Sequence, residues 1–436
     1  MPDESRTGRP SDVQPSPPED GRVGTSAAEP RVREASVDDP TPLGAAPSTV
    51  ARDQPEAQRA TAAQHWAELS ERRRNQILIG VFAMFVLLYP LLDRAFGWQR
   101  MGSMNPILIF VLLALGLNIV VGFAGLLDLG YAAFFAIGGY TVAFLTAPQS
   151  PLVQAGIQAD FWIALPISFV VAATFGFILG APTLRLRGDY LAIVTLAFGE
   201  IVPQAIRNLE WLTNGTKGMN PIGRPHLGEI ELLASDQIPW YYLIVAVSAL
   251  SVFIILRLQN SRLGRAWMAM REDEIAAASM GIDLVRTKLL AFGLGASFSG
   301  FGGALYASML QFIGPDQFQF DVSILLLAMV ILGGIGNIWG VLFGGLVMGA
   351  FNFIWVESAA GFVRGLSATP GLGFLAIVDL NNSKLMLFGL ALVLMMLLRP
   401  EGIFPSAQRK AELRGAKPAT ATTVAGVQES LHDARA

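Results

Sequence analysis

Long, unbroken apolar runs are the feature that most limits what this chain can fold into. A helix needs about 20 apolar residues to cross a bilayer, and ten stretches of the sequence approach or reach that length. A transmembrane β-barrel would instead show alternating segments of about ten residues. We therefore predict an all-α integral membrane protein with about 8–10 transmembrane helices, because the shortest runs can be half-spanning or tilted. The predicted spans are Ile77–Leu92, Ile107–Leu127, Tyr131–Ala147, Phe161–Ala181, Tyr190–Ile206, Ile238–Leu256, Leu289–Ile313, Val322–Gly334, Ile338–Val356 and Leu385–Leu398.

The two ends of the chain differ in composition from the part between them. Met1–Ala63 is rich in Pro, Ser, Ala and charged residues, and the segment after Ser406 is similarly polar and rich in alanine. Such segments cannot bury enough apolar surface to offset the entropy lost on ordering. We therefore predict disordered cytoplasmic tails at residues 1–75 and 407–436, on either side of a transmembrane domain at 76–406.

The distribution of Lys and Arg predicts the orientation of the spans. Cytoplasmic loops of membrane proteins carry an excess of these residues. With the N-terminus inside, about twice as many of the Lys and Arg side chains near the spans fall on the cytoplasmic side as on the outer side, and the densest group is Arg257–Lys288. We therefore expect a multi-pass protein of the cell membrane with both termini in the cytoplasm.

Several kinds of chemistry are excluded by composition. The chain has no cysteine and only three histidines, which are scattered along it, so we expect no metal, no cofactor and no disulfide. The net charge of -3 gives no reason to expect nucleic acid. No G-x-x-x-x-G-K-[ST] phosphate loop is present, so the chain should not hydrolyse ATP, and we do not expect it to be an enzyme.

Ionisable and small residues within the spans are candidates for a transport path. Glu200 lies deep within a predicted span, where it can either hydrogen bond to another helix or line a passage, and Asp128 follows the end of one as a candidate cap. Small residues at four-residue spacing let helices approach closely in lipid, and lining a passage is the less favoured alternative for them. They are Gly295, Ser299, Gly303 and Ala307 in one span and Gly336, Gly340 and Gly344 through another.

The segment between the sixth and seventh predicted spans, LQNSRLGRAWMAMREDEIAAASMGIDLVRTKLL, is too long for a turn and too regular for a linker. Asp273 can cap a helix by accepting hydrogen bonds from its first amides, and Glu274 complements the positive end of the helix dipole. Gly281 can adopt the left-handed conformation that ends a helix. We therefore predict a short helix of about 10 Å outside the membrane.

This short helix has a surface suited to docking into a groove on a partner protein. The alternative is an interfacial helix that only joins two spans. The side chains that we expect it to expose are Glu274, Ala276, Ala277 and Ala278.

The pattern E-x-A-A-x-x-x-G, at Glu274, Ala276, Ala277 and Gly281, resembles the coupling loop of ABC importer permeases. Five longer segments resemble the high-affinity branched-chain amino acid permeases, the LivM family. The resemblance covers roughly Pro106 to Ser406. The segments are NIVVGFAGLLDLGYAAFFAIGGY, LRLRGDYLAIVTLAFGEI, SRLGRAWMAMREDEIAAASMGIDLVRTKLLAF with the following SFSGFGGALYA, ILGGIGNIWGVLFGG, and LLRPEGIFP.

This resemblance implies a transport subunit that works with separate partners. These are a homologous second permease, two ATP-binding cassette ATPases and an extracytoplasmic amino-acid-binding protein. A urea importer permease, a sugar-type permease and, from another class, a channel or ion-coupled carrier remain as alternatives. By resemblance, the residues of the ATPase-coupling loop are Arg265, Arg271, Glu272, Asp273, Glu274, Ala276, Ala277 and Gly281.

Overall fold

The computed structural model describes Gly80, residues 84–183, 189–227, 230–233 and 235–367, and the isolated positions 386, 388–390, 393 and 397. Both predicted tails lie outside these residues, as does most of the predicted span Leu385–Leu398. The α-helices are α1 (84–96), α2 (Met101–Leu117), α3 (Tyr131–Thr146), α4 (Pro151–Gln154), α5 (Phe161–Thr183), α6 (Asp189–Asn208), α7 (Glu210–Thr213), α8 (Gln237–Gln259), α9 (Arg262–Glu272), α10 (Glu274–Ser279), α11 (Leu284–Leu310), α12 (Phe320–Gly333), α13 (Ile338–Ala350) and α14 (Val356–Ser367).

Shorter elements join or extend these helices. The shorter segments are π-helical at Asn118–Phe123 and Phe351–Trp355, 3-10 helical at Gly215–Lys217 and Pro315–Phe318, and extended at His226–Leu227 and Ile230–Glu231, where the two strands pair antiparallel.

Eight helical segments of the described chain are long and apolar enough to cross a membrane. They correspond in order to the second to ninth predicted spans, which confirms the prediction of a helical membrane protein. Within the first predicted span the structure describes Gly80 and residues 84–92, all of them helical, and the helix continues to residue 96. The eight segments are Met101–Phe123, Tyr131–Gln154, Phe161–Pro182, Tyr190–Asn208, Gln237–Gln259, Leu284–Leu310, Pro315–Gly333 and Ile338–Gly365.

Helix α11 packs closely against α3 and α5 through small residues. A Cβ atom added to Gly138 of α3 would lie 2.5 Å from the Cα atom of Gly300 in α11. One added to Gly176 of α5 would lie 2.8 Å from the Cβ atom of Ala296. The Ser168 hydroxyl of α5 also donates to the Gly300 carbonyl at 3.2 Å. In lipid, where apolar side chains gain little by meeting each other, such close packing is what holds helices together.

The chain between α2 and α3 leaves the regular helical conformation, although the sequence predicts one continuous span there. We expected the span to continue to Leu127, but regular helix ends at Leu117, a π-helical turn follows to Phe123, and Gly125 has φ +70°. The connection lies against the interior of α6, because the Leu129 amide donates to the Thr195 hydroxyl at 3.1 Å. Thr195 is six residues into α6, about 9 Å along its axis. Non-helical backbone at membrane depth is characteristic of transport proteins.

The two ends of the helix bundle are distinguished by the loops that they carry. Helices α9 and α10 lead directly into the first turn of α11. At the other end of α11, Met219 and Ile313 exchange two backbone hydrogen bonds of 2.9 and 3.2 Å. Thr216, three residues before Met219, is exposed near this pair of hydrogen bonds, whereas Ser279 is exposed at the end of α10. The two residues therefore mark opposite ends of the molecule.

Candidate functional site

Helix α9 is fixed to the bundle by its apolar face. Trp267 and Met270, three residues apart, are both fully buried, and the Trp267 indole N–H donates to the Thr287 carbonyl at 2.8 Å. The helix begins at Ser261, whose hydroxyl accepts from the Gly264 amide. Arg265 is on the exposed side, and its guanidinium donates to the Asn260 carbonyl at 3.0 Å. The loop is therefore held to α11 as one rigid unit.

The predicted boundaries of the short helix are confirmed. The Asp273 Oδ1 atom accepts from the amides of Ile275 and Ala276, at 2.8 and 3.0 Å, and so caps α10. Gly281 has φ +83°, the left-handed conformation that ends a helix. A Cβ atom on Gly281 would meet nothing within 4 Å. Any close approach at this glycine must therefore come from another protein.

Glu274 is less free than the sequence predicts. Its carboxylate lies 2.7 Å from the Lys288 ammonium, in the first turns of α11. The Lys288 side chain is only 6% exposed and that of Glu274 is 42% exposed. A buried ammonium requires a group of opposite charge nearby. Glu274 therefore contributes to the structure of this chain by itself, whether or not another protein binds it.

The exposed surface of α10 also differs from the predicted one. The expectation that Ala277 is exposed is wrong: it is 4% exposed and faces the bundle, whereas Ala276 and Ala278 are exposed. Two large apolar side chains that we did not predict to be exposed also face solvent, Ile275 at 75% and Met280 at 84% exposure. Both could have been found from the sequence, because they lie in the loop between two predicted spans, where exposed apolar residues indicate contact with a partner.

Arg271, one of the residues predicted to meet the ATPase, is half-buried and makes a contact within the bundle. Its guanidinium donates to the Gly122 carbonyl at 2.5 Å, across the break that follows α2. A Cβ atom added to Gly125 would lie 2.7 Å from the Arg271 Cγ atom, and one added to Gly336 3.0 Å from its Nη1 atom. Carbonyls at a helix C-terminus lack partners within the helix and attract cations. The neighbouring Glu272 and Asp273 are exposed.

The two carboxylates that are candidates for the transport path, Asp128 and Glu200, have opposite environments. Asp128 is 1% exposed, and its Oδ1 atom accepts from the Gly130 amide at 2.9 Å. Glu200 is exposed on the surface of α6. The contact of Asp128 is local, as for a cap, whereas Glu200 makes no hydrogen bond or ion pair with the described residues.

The small residues in the spans lie at packing contacts. Gly295 accepts from the Tyr131 hydroxyl at 2.8 Å, and Ser299 is fully buried. Gly303 of α11 lies against α3, Gly340 and Gly344 lie against Gly333 of α12, and the Gly336 amide donates to Asn118. Within the described ranges, no group of three or more His, Cys, Asp or Glu residues could hold a metal ion.

Comparison with known proteins places these features in one family. The sequence profile described as branched-chain amino acid transport system, permease component, matches residues 100–396. The high-affinity branched-chain amino acid transport system permease protein LivM of Escherichia coli K12 is 36% identical over 356 residues, covering 76% of this chain and 77% of that protein.

More distant relatives have related descriptions. The probable branched-chain amino acid transport permease protein LivM of Methanocaldococcus jannaschii is 24% identical and covers 74% of this chain and 91% of its own. LivH of Escherichia coli K12, also a high-affinity branched-chain amino acid transport system permease protein, is 25% identical and covers 59% and 83%. No solved structure matches the chain.

Proposed function

The chain belongs to the family of permease components of branched-chain amino acid transport systems, and from this we propose that it forms part of the path by which an ATP-driven importer carries leucine, isoleucine and valine across the cell membrane. The urea importer alternative is not favoured, because the relatives described above are branched-chain amino acid permeases. The protein itself is a multi-pass membrane protein with at least eight helices of spanning length in its described part.

The partners in this proposal follow from what the chain has and lacks. The similarity to both LivM and LivH supports a complex with a second, homologous permease. The sequence carries no phosphate loop, so two separate ATPases would supply the energy on the cytoplasmic side, and an extracytoplasmic binding protein would deliver the amino acid. Both termini would lie inside, as the Lys and Arg distribution predicts.

The exposed tip of α10 is the observation that carries the proposal of ATPase coupling. Ile275 and Met280 present their apolar side chains to solvent while the adjacent Ala277 and Trp267 anchor the loop in the bundle. Large apolar side chains on a fixed support are typical of the few residues that dominate a protein interface. We infer that an ATPase groove covers them.

Arg271 would transmit movement of this loop to the spans. It leaves the last turn of α9 and binds the Gly122 carbonyl, so a displacement of α9 pulls on the break between α2 and α3. Gly336, in the turn between α12 and α13, lies against the same guanidinium. One side chain therefore joins the cytoplasmic loop to two connections between spans, and this gives rigid-body alternating access a physical route.

The experiment places an aspartate at the second position of two short helices. In Ile275→Asp the change is on α10, and in the matched control Leu152→Asp it is on α4, at the opposite end of the molecule, where Leu152 is 40% exposed. An acidic residue in a first helical turn does not weaken either helix. Both variants should reach the membrane in normal amounts.

Only Ile275→Asp should lose the ATPases. We expect their co-purification and ATP-dependent leucine uptake to fall by about ten-fold or more, because a charge replaces a central apolar contact. Normal ATPase binding by Ile275→Asp would contradict the docking assignment. Uptake that continues without the ATPases, driven by an ion gradient, would instead support the carrier alternative.

A further inference from the structure

Three spans of the described chain bury only about a third of their length within it. They are Phe161–Pro182, Tyr190–Asn208 and Gln237–Gln259, at 33%, 33% and 28%. The remainder of each span must face lipid, water or another subunit. The chemistry of the exposed side chains distinguishes these surroundings.

The exposed faces of α5 and α8 are suited to lipid. On α5 they present residues such as Val170 and Ile178, at 60% and 59% exposure, and on α8 Leu250 and Phe253, at 52% and 56%. Neither helix exposes an ionisable side chain in its middle turns. Such apolar faces need no partner subunit to cover them.

Helix α6 presents a different face, which we call the α6 stripe. Its members recur three or four residues apart and fall within about 100° of the helix circumference. Glu200 lies near the middle, about 16 Å from the start of α6 and 12 Å from its end. The stripe consists of the exposed residues Tyr190, Ile193, Ala197, Glu200, Ile201, Gln204 and Asn208.

The orientation of α6 is fixed by the opposite face, so the stripe cannot turn inward. Thr195 accepts from the Leu129 amide at 3.1 Å. A Cβ atom on Gly199 would lie 2.9 Å from the Cα atom of Gly130. Rotating α6 to bury Glu200 in this chain would break both contacts. A carboxylate held in this position is costly in hydrocarbon, so the stripe does not face lipid.

We propose that the α6 stripe lines the aqueous passage, and that the Glu200 carboxylate binds the ammonium group of the amino acid as it crosses. The stripe places apolar side chains beside the carboxylate, at Ile193, Ala197 and Ile201. A branched-chain amino acid has the same two features, an ammonium group and an apolar side chain. This inference rests on the proposed function, and it names the surface and the residue that would perform it.

Cysteine accessibility tests the passage assignment, and the absence of native cysteine removes background labelling. Single cysteines would be placed at Ala197 and Gln204 on the stripe and, as lipid-facing controls, at Val170 and Phe253. The complete importer in membrane vesicles would be treated with a charged methanethiosulfonate. Only a thiolate reacts, and a thiol in hydrocarbon does not ionise, so the stripe cysteines should react at least ~10-fold faster than the controls. Leucine with its binding protein and ATP should change their rates.

Equal, slow labelling of the stripe and control cysteines would overturn the passage assignment. Wild-type vesicles are assayed in parallel for ATP-dependent leucine uptake. If the wild type does not transport leucine, the proposed function fails; if it transports leucine while the stripe cysteines stay unreactive, only this inference fails.

Glu200→Gln tests the role of the carboxylate, with Glu210→Gln on the exposed helix α7 as its matched control. The Glu200→Gln importer should assemble in normal amounts, because Glu200 makes no ion pair within the described chain. Its leucine uptake should fall about ten-fold or more, since the ammonium loses its charged partner. Glu200→Asp should recover part of the uptake, and Glu210→Gln should transport normally. Uptake by Glu200→Gln equal to that of the wild type would refute ammonium binding.

Discussion

Replacing Glu274 by alanine removes the carboxylate that lies 2.7 Å from the Lys288 ammonium. From the sequence alone, Glu274 is a solvent-exposed residue whose loss should barely affect folding. The structure leads to the opposite expectation. Lys288 is 6% exposed, so its charge stays buried after the substitution, without the partner that compensated for its desolvation.

The magnitude follows from the unequal exposure of the two side chains. Removing one member of a fully buried ion pair costs about 3–5 kcal/mol, whereas an exposed pair contributes about 0–1 kcal/mol. Glu274 is 42% exposed, so water already screens part of the interaction and the cost should fall between these two figures. We therefore expect Glu274→Ala to lower the free energy of unfolding by about 1–3 kcal/mol.

A double variant separates this structural role from a contact with the ATPase. Lys288→Met places an apolar side chain of similar length at the buried position, so Glu274→Ala with Lys288→Met should recover most of the lost stability. Thermal unfolding of the purified chain in detergent measures the stability, and leucine uptake by the complete importer measures coupling. If Glu274 acts only by holding Lys288, the double variant recovers both. If Glu274 also binds the ATPase, stability returns while uptake stays low.

Two results would refute the reasoning. The first is an unchanged unfolding midpoint for Glu274→Ala. The second is a double variant that is no more stable than the single one. Either would mean that the ion pair contributes no stability in the folded chain.

Three further predictions concern Gly281, the topology and the energy source. Gly281→Ala and Gly281→Leu both place a side chain at φ +83° and should each lose about 1–2 kcal/mol of stability. Only Gly281→Leu should reduce co-purification of the ATPases. Equal ATPase binding by both variants would contradict a close approach at this position. A cysteine at Thr216 should react with an impermeant reagent from outside and one at Ser279 should not, while labelling of Ser279→Cys from outside would invert the orientation. The purified chain should show no ATPase activity alone, whereas the complete importer should hydrolyse ATP in response to loaded binding protein. Phosphate release by the purified chain would contradict the proposal that separate subunits hydrolyse ATP.

Features set by nearby residues could be predicted from the sequence. The apolar runs gave the order of the spans because burying twenty residues in lipid outweighs weaker preferences. Asp273 and Gly281 were identified correctly because capping depends on amides and carbonyls only a few residues away. The period of the α6 stripe was also visible in the sequence, but its environment was not.

Features set by packing could not be predicted in this way. Arg271 binds a carbonyl 149 residues earlier in the chain, and nothing in the local sequence indicates that it turns inward. Ala277 differs from Ala276 and Ala278 only in the side of α10 that meets the bundle. The span expected to reach Leu127 ends early because the backbone turns at Gly125 to lie against α6. Each outcome depends on a partner distant in sequence.

Because α11 packs closely against α3 and α5, a movement of the loop that carries α9 and α10 would be passed along the whole of α11. Helix α11 has 27 residues and is about 40 Å long. Its packing against Gly138 and Gly176 leaves little freedom to bend or slide. A tilt of roughly 5° over this length would displace the two ends of α11 by about 3.5 Å relative to each other, given the helical rise. The far end is tied through Ile313 to Met219, so a movement of α10 would also displace the loop that follows α6.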